Sequence, residues 1–156
     1  MHIELLNKKR FDVQSDATIV LVINKNLEHP SVLDKEHLEL VGFKGESEEV
    51  IFLPHSRTIY VGCDSLEADD IRLAASKALE ATKKTTIRTL SIGTYSNDCP
   101  GVNIKALVEG FILGSYSFDM YKSKKESQKL ETIFICLDDY SRVDVSMETA
   151  TKALRV

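Results

Sequence analysis

The stretch EGFILGSYSFDMYKSKK, Glu109 to Lys125, joins a helical stripe to two glycines and a Tyr/Phe/Tyr cluster that runs into lysines. Ile104, Leu107, Val108, Phe111, Ser115 and Phe118 follow the i, i+3, i+4, i+7 spacing of one helix face, which predicts a buried amphipathic helix. Gly110 and Gly114 lie four apart inside it, where each costs about 1 kcal/mol relative to alanine. Close packing is the expected offset, because two glycines one turn apart open a flat strip for a strand or a second helix. The other reading is that Gly114 begins to end the helix.

Outward from this helix, strands and helices alternate. Ile3 to Leu6 and Thr18 to Ile23 read as strands, the second with the apolar run of a strand buried on both faces. Glu49 to Leu53 and Thr58 to Cys63 read as a further pair, and the short connection Pro54-His55-Ser56-Arg57 favours an antiparallel hairpin. Next, Asp64-x-x-Glu67 has the form of a capping box, with Asp69 and Asp70 in the first turn where the helix dipole favours negative charge. Ile71, Ala74, Ala75, Ala78, Leu79 and Thr82 make one side of the helix that follows, and its small residues imply close docking on a sheet.

Thr86 to Ile92 is read as a strand, Gly93 to Gly101 as a loop, and Glu131 to Leu137 as another strand. A last helix is expected from Ser146, with Met147, Ala150 and Leu154 on one side. The sum is an α/β domain with a mixed sheet between helices; doubly wound and ferredoxin-like arrangements also fit the strand count. No repeat, low-complexity tract or Pro/Gly linker divides the chain, so one domain over 1–156 is expected.

Composition narrows the function classes. The chain has 43% hydrophobic and 28% charged residues, enough to bury one sizeable core. Twenty basic against 24 acidic side chains leave a net charge of -4, which gives no overall electrostatic footprint for nucleic acid or an anionic membrane. The run Ile19 to Ile23 is far short of the roughly 20 residues that span a bilayer. Lys8, Lys9 and Arg10 precede Phe11, Asp12 and Gln14 rather than a long apolar stretch, so no secretory signal is read and a cytoplasmic location is expected.

The residue types that carry chemistry are thinly spread. Cys63, Cys99 and Cys136 are odd in number and widely spaced, as suits reduced thiols, with Cys63 and Cys136 in strand patterns and Cys99 before Pro100 in a loop. His2, His29, His37 and His55 show no His-x-x-x-His spacing, so no metal site is read from them. Gly93, Gly101, Gly110 and Gly114 make no phosphate-binding pattern. Asp138 and Asp139 follow an apolar strand, where ligands gather in open α/β sheets, but adjacent residues in an extended stretch point oppositely. Lys122, Lys124, Lys125 and Lys129 form a basic connection beside Tyr116 and Tyr121, read either as a solvated loop or as a contact for phosphates or carboxylates.

The stretch from Glu109 resembles the end of the N-terminal domain of the leucyl (cytosol) aminopeptidases, a family of dinuclear metallo-exopeptidases. Glu109, Gly110, Leu113, Gly114, Tyr116, Phe118, Asp119, Tyr121, Lys122, Ser123, Lys124 and Lys125 match the family pattern EGxxLGxYxFDxYKSKK. Weaker agreement extends back through the VGC segment near Gly62. The resemblance implies a macro-like α/β fold and a chain that is non-catalytic, with no catalytic, cofactor-binding or metal-binding residue of its own.

In that family, two divalent ions (zinc, manganese or magnesium) and the residues that hold them lie in a C-terminal domain. Stretches of the kind NTDAEGR and VGKG do not occur here, so the catalytic half is expected to be absent. The full-length form is implied to be a hexamer that releases N-terminal amino acids from peptides, with this domain contacting its own catalytic domain and other subunits. Two alternatives stand beside it: a stand-alone macro-like module for ADP-ribose or another nucleotide, and a nucleic-acid-binding regulatory module. DNA binding by some bacterial family members keeps the latter open through the lysine run. No membrane partner is expected.

Overall fold

The computed structural model describes residues 1–6, 12–29, 32–83, 85–93, 100–120 and 130–136, with side chains of the long helix described over 104–115. Six strands form one sheet: β1 (His2–Leu6), β2 (Ala17–Ile23), β3 (Val50–Leu53), β4 (Thr58–Cys63), β5 (Thr89–Gly93) and β6 (Thr132–Cys136). Three helices are described: α1 (Lys35–Leu40), α2 (Ala68–Glu80) and α3 (Pro100–Met120). The strand order is β1-β6-β5-β2-β4-β3. Every pairing is parallel except that of β3 with β4, which is antiparallel, so the hairpin read from the short 54–57 connection is present.

Alternation along β2 builds the layers. Ile19 and Leu21 lie in the larger core with Ile71, Ala75 and Leu79 of α2 and Ile104, Leu107 and Phe111 of α3. Val20 and Val22 lie in a smaller core with Leu38 of α1, Phe43, Leu53 and Tyr60. Successive strand side chains point to opposite faces, so helices cover the central strand on both sides and its run is apolar throughout. This is the mixed sheet between helices that the pattern predicts, and the two alternative topologies fall away.

Several local expectations shift. The helix after Cys63 starts at Ala68 with Glu67 as its cap residue and no side-chain cap bond, so Asp64 does not act as a capping box. Instead Ser65 Oγ accepts the Glu67 amide at 3.0 Å and donates to Asp70 at 2.6 Å. The strand expected from Thr86 begins at Thr89, because the amides of Arg88 and Thr89 turn to the Asp16 carboxylate at 2.7 and 3.2 Å. Gly101 lies inside α3, whose first residue is Pro100; proline suits that place because its missing N–H has no helical partner there. The six-residue α1 carries too little periodicity to be read in advance. The helix expected from Ser146 lies outside the described residues.

Gly62 on β4 shows why the VGC segment needs its glycine. A β-carbon there would sit 1.9 Å from the Glu46 carbonyl oxygen. The turn that approaches it is held by Glu49, whose Oε1 accepts the amides of Lys44, Gly45 and Glu46 at 3.0, 2.9 and 3.1 Å.

Candidate functional site

The glycines of α3 define a helix dock. A β-carbon on Gly110 would lie 2.5 Å from the Arg72 carbonyl oxygen and 2.7 Å from the Ala75 methyl, and one on Gly114 would lie 3.0 Å from the Ser76 Cα and 3.1 Å from Leu79 Cδ1. The strip therefore seats α2, which faces it with the Arg72 backbone, Ala75, Ser76 and Leu79. α3 runs on to Met120, so Gly114 packs rather than terminates. At the rim, Arg72 Nε donates to Glu109 Oε2 at 3.1 Å, and the same guanidinium pairs with Asp69.

The matched residues separate into two groups. Glu109, Gly110 and Gly114 line the dock, while Leu113 faces away and is 55% exposed. Tyr116, Phe118 and Asp119 continue the α3 backbone, with side chains outside the described set. Tyr121, Lys122, Ser123, Lys124 and Lys125, together with Lys129, Cys99, Asp138 and Asp139, lie outside the described residues altogether.

A second cluster is polar and sits against the smaller core. Asp34, the residue before α1, is only 9% exposed. Its Oδ2 accepts hydrogen bonds from the Tyr60 hydroxyl at 2.6 Å and the Ser56 hydroxyl at 2.8 Å, while Oδ1 lies 3.1 Å from His55 Nε2. Burial pushes this carboxyl up, but the bonds from Tyr60, Ser56 and His55, with the charge of His55, outweigh it and hold it below its ordinary value. Tyr60 moves the other way: burial first, then its bond to the Asp34 carboxylate, drives the phenol well above its usual range.

The His55 ring packs against the His37 ring of α1 with centroids 4.2 Å apart and planes inclined at 33°. Sequence spacing misses this pair because the β3–β4 hairpin, not a helical repeat, carries His55 to α1. One available ligand atom from each of Asp34, His37 and His55 lies within 4.8 Å of the other two. No other group of three or more His, Cys, Asp or Glu residues meets that condition among the described residues. Cys63 and Cys136 are buried, as their strand patterns predict. Burial pushes the Cys63 thiol up to about 12, beyond the lowering effect of its contact with the Ser65 carbonyl.

Comparison with solved structures gives the class. A tomato leucine aminopeptidase variant superposes with a TM-score of 0.69 at 16% identity, over 99% of this chain and 35% of that one. The Trypanosoma brucei macrodomain in complex with ADP-ribose gives 0.65 at 15%, over 98% and 69%. At such identities the likeness is one of fold: a macro-type α/β domain.

Sequence relatives give the family. The family model described as "Cytosol aminopeptidase family, N-terminal domain" matches residues 35–125. A probable cytosol aminopeptidase of Wolinella succinogenes is 36% identical over 129 residues, covering 83% of this chain and 26% of that protein. One from Campylobacter jejuni is 31% identical over 135 residues, covering 86% and 27%. The chain belongs to the cytosol aminopeptidase family, as its N-terminal domain. It spans about a quarter of the length of these curated relatives. No helix among the described residues is long and apolar enough to cross a membrane.

Proposed function

We propose that this chain is the non-catalytic assembly or regulatory domain of a cytoplasmic leucyl aminopeptidase whose full-length form removes N-terminal residues from peptides. The observation that carries the reading is the α2–α3 dock: the glycines of the family-matched helix are absorbed in packing against α2. In the whole enzyme two divalent ions, of zinc, manganese or magnesium, would activate a water and stabilise the oxyanion. The resemblance assigns those ions to a lysine, aspartates and a glutamate. Asp34, His37 and His55 are a different donor set and do not fit that pair.

A role in assembly is supported by the length relation to the relatives and by Leu113 and Ile112, which leave apolar surface on the outer side of α3 at 55% and 39% exposure. Sedimentation of the full-length enzyme with and without residues 1–156 tests it. The reading expects a hexamer with the domain, and altered assembly or altered control of turnover without it. An unchanged hexamer with unchanged kinetics would overturn it.

A further inference from the structure

We propose that Asp34, His37 and His55 form a binding site for one borderline divalent first-row cation, with zinc as the type ion. Zinc accepts imidazole nitrogen and carboxylate oxygen at about 2.0–2.2 Å, so two ligands on one tetrahedral edge lie roughly 3.3–3.6 Å apart. Asp34 Oδ1 and His55 Nε2 stand 3.1 Å apart, close to that edge before any ion enters. The nitrogen of His37 is the adjustable member. The three ligand atoms are within 4.8 Å of one another, and closing the remaining gap asks His37, exposed on α1, to turn about its side-chain bonds from its present packing on the His55 ring.

The surroundings suit a metal carboxylate. Tyr60 and Ser56 occupy Oδ2 and fix the plane of the group, leaving Oδ1 turned toward the imidazoles; such outer contacts orient ligands and tune affinity. Lys35, next in sequence, is engaged with Glu28 and Glu39, so its ammonium is not a rival partner for Asp34. Two nitrogens and one oxygen favour zinc, cobalt, nickel or copper over magnesium and calcium, which prefer oxygen alone. The His55 side chain is 47% exposed, which gives the ion an entry path and leaves room for water in the fourth position. On binding, the ion replaces any proton on His55 Nε2, which passes to solvent, so affinity falls as acid competes for the nitrogens. The ion would tie the start of α1 to the β3–β4 turn.

Calorimetric titration of zinc chloride into the metal-free 156-residue chain, with cobalt chloride followed by visible absorption, tests the proposal. One equivalent of each metal is expected, with an intense tetrahedral cobalt spectrum. His37→Gln and His55→Gln should each weaken zinc at least about tenfold and abolish that spectrum. Both side chains are exposed, so circular dichroism of the metal-free variants should match the wild type. Absence of binding at about a hundredfold excess of zinc, or wild-type affinity in either variant, would overturn the site.

Discussion

Arg72 and Glu109 form an ion pair directly beside Gly110, where the Arg72 backbone also blocks any β-carbon. One residue of α2 thus meets α3 twice, through its backbone and through its guanidinium. The two contacts differ in weight, because one is set by packing and the other lies partly in water.

For packing, Gly110→Leu is expected to lower the unfolding free energy by about 1 to 3 kcal/mol, since the contacting atoms of Arg72 are backbone and cannot swing aside. Gly114→Ala should stay within about 1 kcal/mol of the wild type, because its contacts of 3.0–3.2 Å ask for small adjustments and alanine regains about 1 kcal/mol of helix propensity. Urea midpoints measure both. Equal midpoints for Gly110→Leu and the wild type would mean the glycine strip is not a packing surface.

For the ion pair, the Arg72 and Glu109 side chains are each about one-third exposed, so screening limits the contact to roughly 0.2–1 kcal/mol. A double-mutant cycle with Arg72→Met and Glu109→Gln should return a coupling in that range, falling with added salt. A coupling above about 2 kcal/mol would show that this pair, rather than the glycines, holds the dock.

Tyr60→Phe removes the hydroxyl that donates to buried Asp34 and should cost about 1.5–3 kcal/mol at neutral pH in metal-free protein. The Asp34 carboxyl is held below its ordinary value of 3.8 in the folded chain, so its contribution is present above that value and lost as pH falls through the lower folded one. Stability measured from neutral to about pH 3 should therefore drop less steeply in Tyr60→Phe than in the wild type. Parallel acid limbs would contradict the role given to this bond.

Cys63 is 1% exposed with its thiol pushed up to about 12, so iodoacetamide near pH 8 should leave it unmodified in native protein and alkylate it after denaturation. Peptide mass spectrometry reads the site directly. Native labelling of Cys63 at the unfolded rate would mean that β4 is open to solvent.

Much of the fold is legible in the sequence because its signals are local. The apolar run of Ile19 to Ile23 gives the doubly covered strand and Pro54 to Arg57 give the hairpin, while the alanines of α2, read as docking on a sheet, also meet a helix, since Ala75 packs at Gly110 of α3. The partner of the glycine strip is less legible: spacing shows that a flat strip exists, but only the fold shows that α2 fills it. The Asp64 cap fails because Ser65, one residue on, makes the bonds instead. Asp34, His37 and His55 are invisible as a group, since two loops and a six-residue helix bring them together with no fixed spacing.

The most direct test of the central claim, that this domain scaffolds chemistry residing elsewhere, is the steady-state hydrolysis of a leucyl anilide by the purified chain in excess manganese. The account predicts a folded protein with no turnover above the metal-only control. Manganese-dependent turnover that follows the chain's concentration would contradict it.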